Sequence, residues 1–292
     1  MTITLTLTGH LTDLGAGMLV RRMLPAAQRQ AVGPFVFFDH FGPIVQTPDM
    51  NTDVRPHPHI GLATVTYLWE GVMMHRDSLG SVQRIEPGAI NWMTAGRGIV
   101  HSERAPEDLR ASDRPMHGLQ LWVALPKEHE ESSPRFAHTA ASEIPQIEVE
   151  GAQVRVLVGQ AWGAESPVAT LVPTLYLDVA LAPGQGLTLP PLAPEMAIYT
   201  VDQALQVDGA HLALNTLAVL DGVSHLSNEG RGEARFVVVG GAPLDGPRFI
   251  WWNFVSSERG RIARAAQDWD ARLFKAVPDD DERIELPTQR PF

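Results

Sequence analysis

The chain contains no cysteine. Disulfides, thiolate metal sites and cysteine nucleophiles are therefore excluded, and any metal must sit on histidine, carboxylate, carbonyl or water. Positive charge is also scarce: 23 Lys and Arg stand against 34 Asp and Glu, a net charge of −11. That balance argues against direct nucleic-acid binding, which needs cationic surface to release counterions, and against an anionic membrane surface. No run approaches the ~18 apolar residues of a membrane helix. The opening MTITLTLTGHLTDLGAGMLVRRML shows no charged segment followed by an apolar one, so no secretory signal is visible. These absences point to the cytoplasm. With 44% hydrophobic and 20% charged residues the composition is that of a folded globular protein. Its 292 residues suffice for roughly two domains of ~150 residues, each with a core of its own.

Helical periodicity is nearly absent. The 25 Gly and 23 Pro cut the chain into short apolar segments, the pattern of a many-stranded β protein. Residues 2–8 alternate Thr with Ile or Leu. Further strands are expected at Thr64–Trp69, Gly118–Leu125, Val154–Val158, Leu175–Ala180, Ala197–Val201, His211–Leu220 and Arg235–Val239. One helix is expected in SSERGRIARAAQDWDARLF, capped by Ser257, with Ile262, Ala265, Ala266 and Trp269 on one face. The acidic, proline-marked tail VPDDDERIELPTQRPF reads as an extended surface segment.

The two halves are weakly similar. Tyr67–Met74 can be laid on Tyr199–Gln206, and Leu119–Pro126 on Phe236–Pro243. The preferred reading is two related all-β units, residues 1–130 and 131–292.

One constellation carries metal chemistry: His57-Pro58-His59 and His101-Ser102-Glu103. Side chains at i and i+2 on a strand share a face, so each pair can aim both members into a barrel interior. Imidazole and carboxylate together suit a borderline divalent metal. By itself the HxH pair is weak, since 11 His in 292 residues give about 0.4 such pairs by chance. A second HxE, His129-Glu130-Glu131, lies in a charged segment and reads as solvated.

The surrounding strings lift this above chance. GPFVFFDHFGP (33–43), RPHPH (55–59), YLWEG (67–71), PGAINWMTAGRGIVHSE (87–103), MHGLQLWVALP (116–126) and WNFVSSERGRIARAAQDW (252–269) resemble the pirin family of the cupin superfamily, in order and spacing, over nearly the whole chain. The resemblance implies an all-β bicupin: two stacked, jelly-roll-like β-barrels with a short C-terminal helix. It makes His57, His59, His101 and Glu103 the metal ligands of the N-terminal half. The general cupin first motif places a Glu near Ala63 or Thr64, which this chain lacks, while Gly71 closes the motif. In the second half the same alignment puts Leu189 and Pro191 at the positions of His57 and His59, so one metal per chain is expected. His40 and His117 fall within the family strings and are candidates for the pocket or a ligand's outer contacts. His10, His75, His129, His138, His211 and His225 read as ordinary structural histidines.

The resemblance further implies a dioxygenase of the quercetin 2,3-dioxygenase type, acting with O2 on a flavonol or another planar chelating aromatic. Iron is the first choice of metal, with Mn, Co, Ni, Cu and Zn compatible with the donors. Glu103 is the expected base. The alternative is an iron-dependent redox sensor acting through a protein partner. A monomer is expected.

Overall fold

Short apolar segments between glycine- and proline-marked turns build strands over 49% of the chain. The computed structural model describes residues 2–15 and 18–289. The fold is all-β with one α-helix, Arg259–Asp270, among the described residues. No helix there is long and apolar enough to cross a membrane.

Each compact unit is assembled from separated pieces of chain. One comprises Leu11–Arg21, Phe38–Ala141 and Leu244–Phe292, and the other Met1–His10, Arg22–Phe37 and Ser142–Pro243. The units therefore differ from the linear split 1–130 and 131–292. The reason is strand pairing: Ile3–Leu7 lies antiparallel to Leu217–Leu220 and so belongs to the second barrel's sheet.

The first barrel contains β1 (Phe35–Gln46), β2 (Val54–His59), β3 (Leu62–Glu70), β4 (Met73–Asp77), β5 (Val82–Ile85), β6 (Ile90–Thr94), β7 (Ile99–Arg104) and β8 (Arg114–Ala124). The second contains β9 (Thr174–Leu181), β10 (Gly186–Leu189), β11 (Glu195–Thr200), β12 (Leu205–Val207), β13 (Ala210–Leu212), β14 (Leu217–Leu220), β15 (Ser224–Ser227) and β16 (Ala234–Gly241). The large sheets run β6-β3-β8-β1 and β14-β11-β16-β9, and the small sheets β2-β7-β4-β5 and β10-β15-β12-β13. The orders are identical when each strand of the first barrel is matched to the one eight later. The weak internal similarity read in the sequence thus corresponds to a repeated barrel, with its matched segments on β3/β11 and β8/β16.

The second barrel is filled with apolar side chains, among them Val156, Leu177, Leu187, Leu189, Ile198 and Phe236, all buried. On its small sheet Leu187 pairs with Leu226, an apolar pair where the first barrel pairs His57 with His101. Leu189 ends β10, whereas Pro191 lies outside it, so the inward pair is Leu187 and Leu189.

Three local expectations are corrected. The segment His211–Leu220 is two strands, because Asn215 turns the chain at φ +56°. The helix is capped by Glu258 without a side-chain bond, since Ser257 is occupied elsewhere: its amide and Oγ donate to Glu130. Glu130 itself is not solvated but 4% exposed, holding Ser256 and Ser257, while its neighbour His129 is 38% exposed. The face Ile262, Ala265, Ala266 and Trp269 is buried as the periodicity requires.

The last stretch packs against the two histidine-bearing strands. Ile60, at the end of β2, packs with Phe254, Ile262 and Ala265, and Val100 of β7 packs with Trp269 and Val277. The extended tail is tied down as well: the Ile284 amide donates to Pro56 O at 2.9 Å, and Arg104 Nη2 to Asp280 Oδ1 at 2.7 Å.

Gly61 makes the turn from β2 to β3 at φ +68°, where a Cβ would stand 2.0 Å from Val255 O. Both the left-handed backbone and the close approach demand glycine. Gly61→Ala is expected to lower unfolding free energy by about 2–4 kcal/mol. A urea midpoint equal to that of the parent protein would contradict this.

Candidate metal centre

β2 and β7 lie side by side, with His57 opposite His101 and His59 opposite Ile99. Because alternate residues share a face, His57, His59 and His101 all project into the first barrel. Between His57 and Glu103 the register slips: His101 pairs with His57, but Glu103 pairs with Val54. The extra residue on β2 is a bulge, a device that re-aims a side chain beside a site.

The three imidazoles form a near-equilateral group. Ring centroids are 4.9 Å apart for His57–His59, 4.4 Å for His57–His101 and 5.0 Å for His59–His101. One nitrogen from each lies within 4.8 Å of the others, and all three residues are buried. Burial holds His57 down to about pKa 4 and pushes His59 and His101 well below the ordinary imidazole range. At neutral pH all three are uncharged, the form that ligates metal.

Each ring is oriented through Nδ1. His57 Nδ1 donates to Arg55 O at 2.9 Å, and His59 Nδ1 to Asn253 O at 3.0 Å. His101 Nδ1 lies 3.4 Å from Nδ1 of His75, whose Nε2 is 3.2 Å from Asp77 Oδ2. Asp77 is 0% exposed. Burial pushes its carboxyl up, but the hydrogen bonds from His75 and Ser81 outweigh this and leave it below the usual carboxylate range. An ionised Asp77 accepts a hydrogen bond from His75 Nε2–H, so His75 Nδ1 accepts from His101 Nδ1. In this arrangement the Nε2 atoms of His57, His59 and His101 each keep a lone pair, and His101 Nε2 is buried without a hydrogen-bond partner. Three neutral rings pinned at Nδ1 and presenting Nε2 are the donor set of a divalent metal. The residues fit such an ion.

Asp77→Asn tests the chain of bonds. An amide N–H facing His75 Nε2 would reverse the tautomers along the chain and place a proton on His101 Nε2. Metal affinity is expected to fall about 10- to 100-fold, with the unfolding midpoint of the metal-free protein little changed. The Asn carbonyl retains the turn contacts that Asp77 Oδ1 makes with the amides of Leu79 and Ser81. Titration with a competing chelator measures it, and an unaltered affinity would refute the tautomer assignment.

Glu103 lies two residues beyond His101 on β7, opposite His75 on β4. Its carboxylate is outside the three-histidine group. Burial raises its pKa above the ordinary value, opposed by nearby His75. Trp122 meets His59 edge-on at 5.3 Å, and Phe136 stacks on His75 at 4.3 Å, so aromatic walls flank the imidazoles.

His40 and His117 come together, but with each other: Nε2 to Nε2 is 2.9 Å, and both rings contact Trp69. Trp69 shares a strand face with Tyr67, the opposite parity to Thr64, which pairs with Trp122. This pair therefore belongs to the other face of the large sheet from the three histidines. His10, His211 and His225 are exposed. The role of His75 beside His101 was not legible in the sequence. HRD at 75–77 resembles any exposed charged strand end until the fold buries it against His101, and the Asn253 carbonyl that orients His59 carries no side-chain signature.

Residues 17–123 match the family model described as Pirin, and residues 176–275 match the pirin C-terminal cupin domain. The chain is 45% identical over 280 residues to a pirin-like protein of Caulobacter vibrioides, covering 94% of this chain and 96% of that one. It is 35% identical over 277 residues to the pirin of Homo sapiens, with 91% of each covered. A crystal structure of quercetin 2,3-dioxygenase from Acinetobacter baumannii matches with a TM-score of 0.88 at 34% identity, covering 99% of this chain and 96% of that one.

Proposed function

This chain belongs to the pirin family, and we propose that it is a metal-dependent dioxygenase that opens a flavonol-type or similar planar chelating aromatic with O2. The observation that carries the proposal is the trio of buried, neutral imidazoles, each pinned at Nδ1 with Nε2 free to ligate. The similarity to the Acinetobacter baumannii quercetin 2,3-dioxygenase supports the reaction class.

His57, His59 and His101 would hold the metal through Nε2, and Glu103 would complete the set from the same strand face. We assign iron, which three imidazoles and one carboxylate suit, and one ion per chain because the second barrel's interior is apolar. When bound, the metal supplies Lewis acidity, lowering the pKa of a chelating hydroxyl and activating the ring toward O2. The protein does the rest. A carboxylate oxygen of Glu103, made more basic by burial, accepts the substrate's hydroxyl proton. Trp122 and Phe136 keep water from the imidazoles and offer flat surfaces to a planar ring.

Oxygen uptake by the iron-loaded protein against a panel of flavonols, catechols and enolic chelators tests this. Turnover of at least one chelator is expected. Full metal occupancy with no oxygen uptake on the panel would overturn the enzyme reading in favour of a redox sensor acting through a protein partner.

A further inference from the structure

Opposite the histidines, the large sheet of the first barrel carries a line of polar side chains. His138, on the edge strand Arg135–Thr139, pairs with Asn91 of β6. Asn91 pairs with Thr66 of β3, and Thr66 pairs with Gln120 of β8. Directly opposed residues on neighbouring strands share a face, so these four form one row across the sheet. The neighbouring row is Phe136, Met93, Thr64 and Trp122. Its two ends touch His75 and His59. Strand alternation therefore turns the polar row toward the same interior as the three imidazoles.

Polar groups inside a barrel are costly unless paired, and this row is only partly paired. Thr66 Oγ1 donates to Gln120 Oε1 at 2.9 Å, which leaves the Gln120 NH2 as donor. His138 Nδ1 is 2.8 Å from Asn91 Oδ1. Asn91 is 3% exposed, yet its Nδ2 has no hydrogen-bond partner. Gln120 and His138 at the row's ends are partly exposed. Nothing in the metal centre uses any of the four.

We propose that this row is a second substrate subsite, in which the amide N–H groups of Asn91 and Gln120 donate to oxygens at a part of the substrate remote from its chelating pair. The inference rests on the chelating-aromatic reading above and narrows it: the substrate is polyoxygenated, with hydroxyl, phenolate or carbonyl oxygens beyond those that bind metal. Donors in this row leave a bare apolar ring with nothing to pair them, which disfavours it.

The test is binding to the metal-loaded protein without oxygen, followed by the spectral shift of the chelated probe. The probes are 3-hydroxyflavone, which carries only the chelating oxygens, and quercetin, which adds hydroxyls on both ring systems. Variants are Asn91→Leu, of similar volume without the amide, and Gln120→Met, at a partly exposed position. Metal content is measured for each. Quercetin is expected to bind the parent protein more tightly than 3-hydroxyflavone. Each variant should weaken quercetin by roughly three- to tenfold, the value of one hydrogen bond, and leave 3-hydroxyflavone and metal content unchanged. Equal losses for both probes, or no loss for quercetin, would overturn the subsite while leaving the chelate reading intact. Failure of the parent to bind either probe would overturn both. If Asn91→Leu does not fold, Gln120→Met decides alone.

Discussion

Replacing His101 with alanine is expected to abolish tight metal binding while the barrels still fold. The loss should exceed the 10- to 100-fold typical of an outer hydrogen-bond partner, because a donor atom disappears together with the geometry it closes. His101 is the link between the groups that hold the site: it faces His57 across the strand pair and receives its orientation from His75. Thermal or denaturant unfolding gives a direct reading. A metal that binds only the native state stabilises the parent protein by about 2.7 kcal/mol at a concentration 100 times its Kd. The same addition should leave the His101→Ala midpoint where it was. A variant that still gained most of this stabilisation would show that the metal is held elsewhere.

Glu103→Gln should separate binding from chemistry. The amide keeps an oxygen able to ligate but has no affinity for the substrate's proton. Turnover per bound metal is expected to fall about 10²- to 10⁴-fold, the usual contribution of a general base, while metal content falls far less. Glu103 is suited to the role by burial, which raises its proton affinity, and by its place two residues along β7 from His101. His129→Ala is the matched control, since His129 sits in the other HxE and is 38% exposed. It should change neither quantity. Near-parental activity per metal in Glu103→Gln would remove Glu103 from the proton transfer.

The candidate metal site was readable because its core is local. Two short strings place His57, His59, His101 and Glu103 at i and i+2, and strand alternation turns each pair to one face wherever the strand lies. The helix was readable for a similar reason: Ile262, Ala265, Ala266 and Trp269 recur at helical spacing. Ser257 was misread as its cap because the competing partner, Glu130, is 127 residues away in sequence. A separation of 126 residues hid Glu130 itself, which looks solvated in a run of charges and is buried against Ser256. His75 escaped notice because its importance depends on a partner 26 residues away, across the pairing of β4 with β7.

What the sequence by itself determined was therefore whatever a strand or helix expresses in its own period: an all-β chain, one helix, and two histidine-bearing strings with a shared face. The family strings added that these belong to one barrel of two. Only the tertiary structure decided which side chains orient those histidines, because hydrogen bonds such as His59 to Asn253 O join residues 194 apart. It also decided that His40 and His117 pair with each other, on the face of the large sheet opposite Trp122, since parity on β3 separates Trp69 from Thr64. The polar row was settled the same way. Thr66, Asn91, Gln120 and His138 are unrelated in sequence, and only strand register, set by pairing across the sheet, brings them into one line.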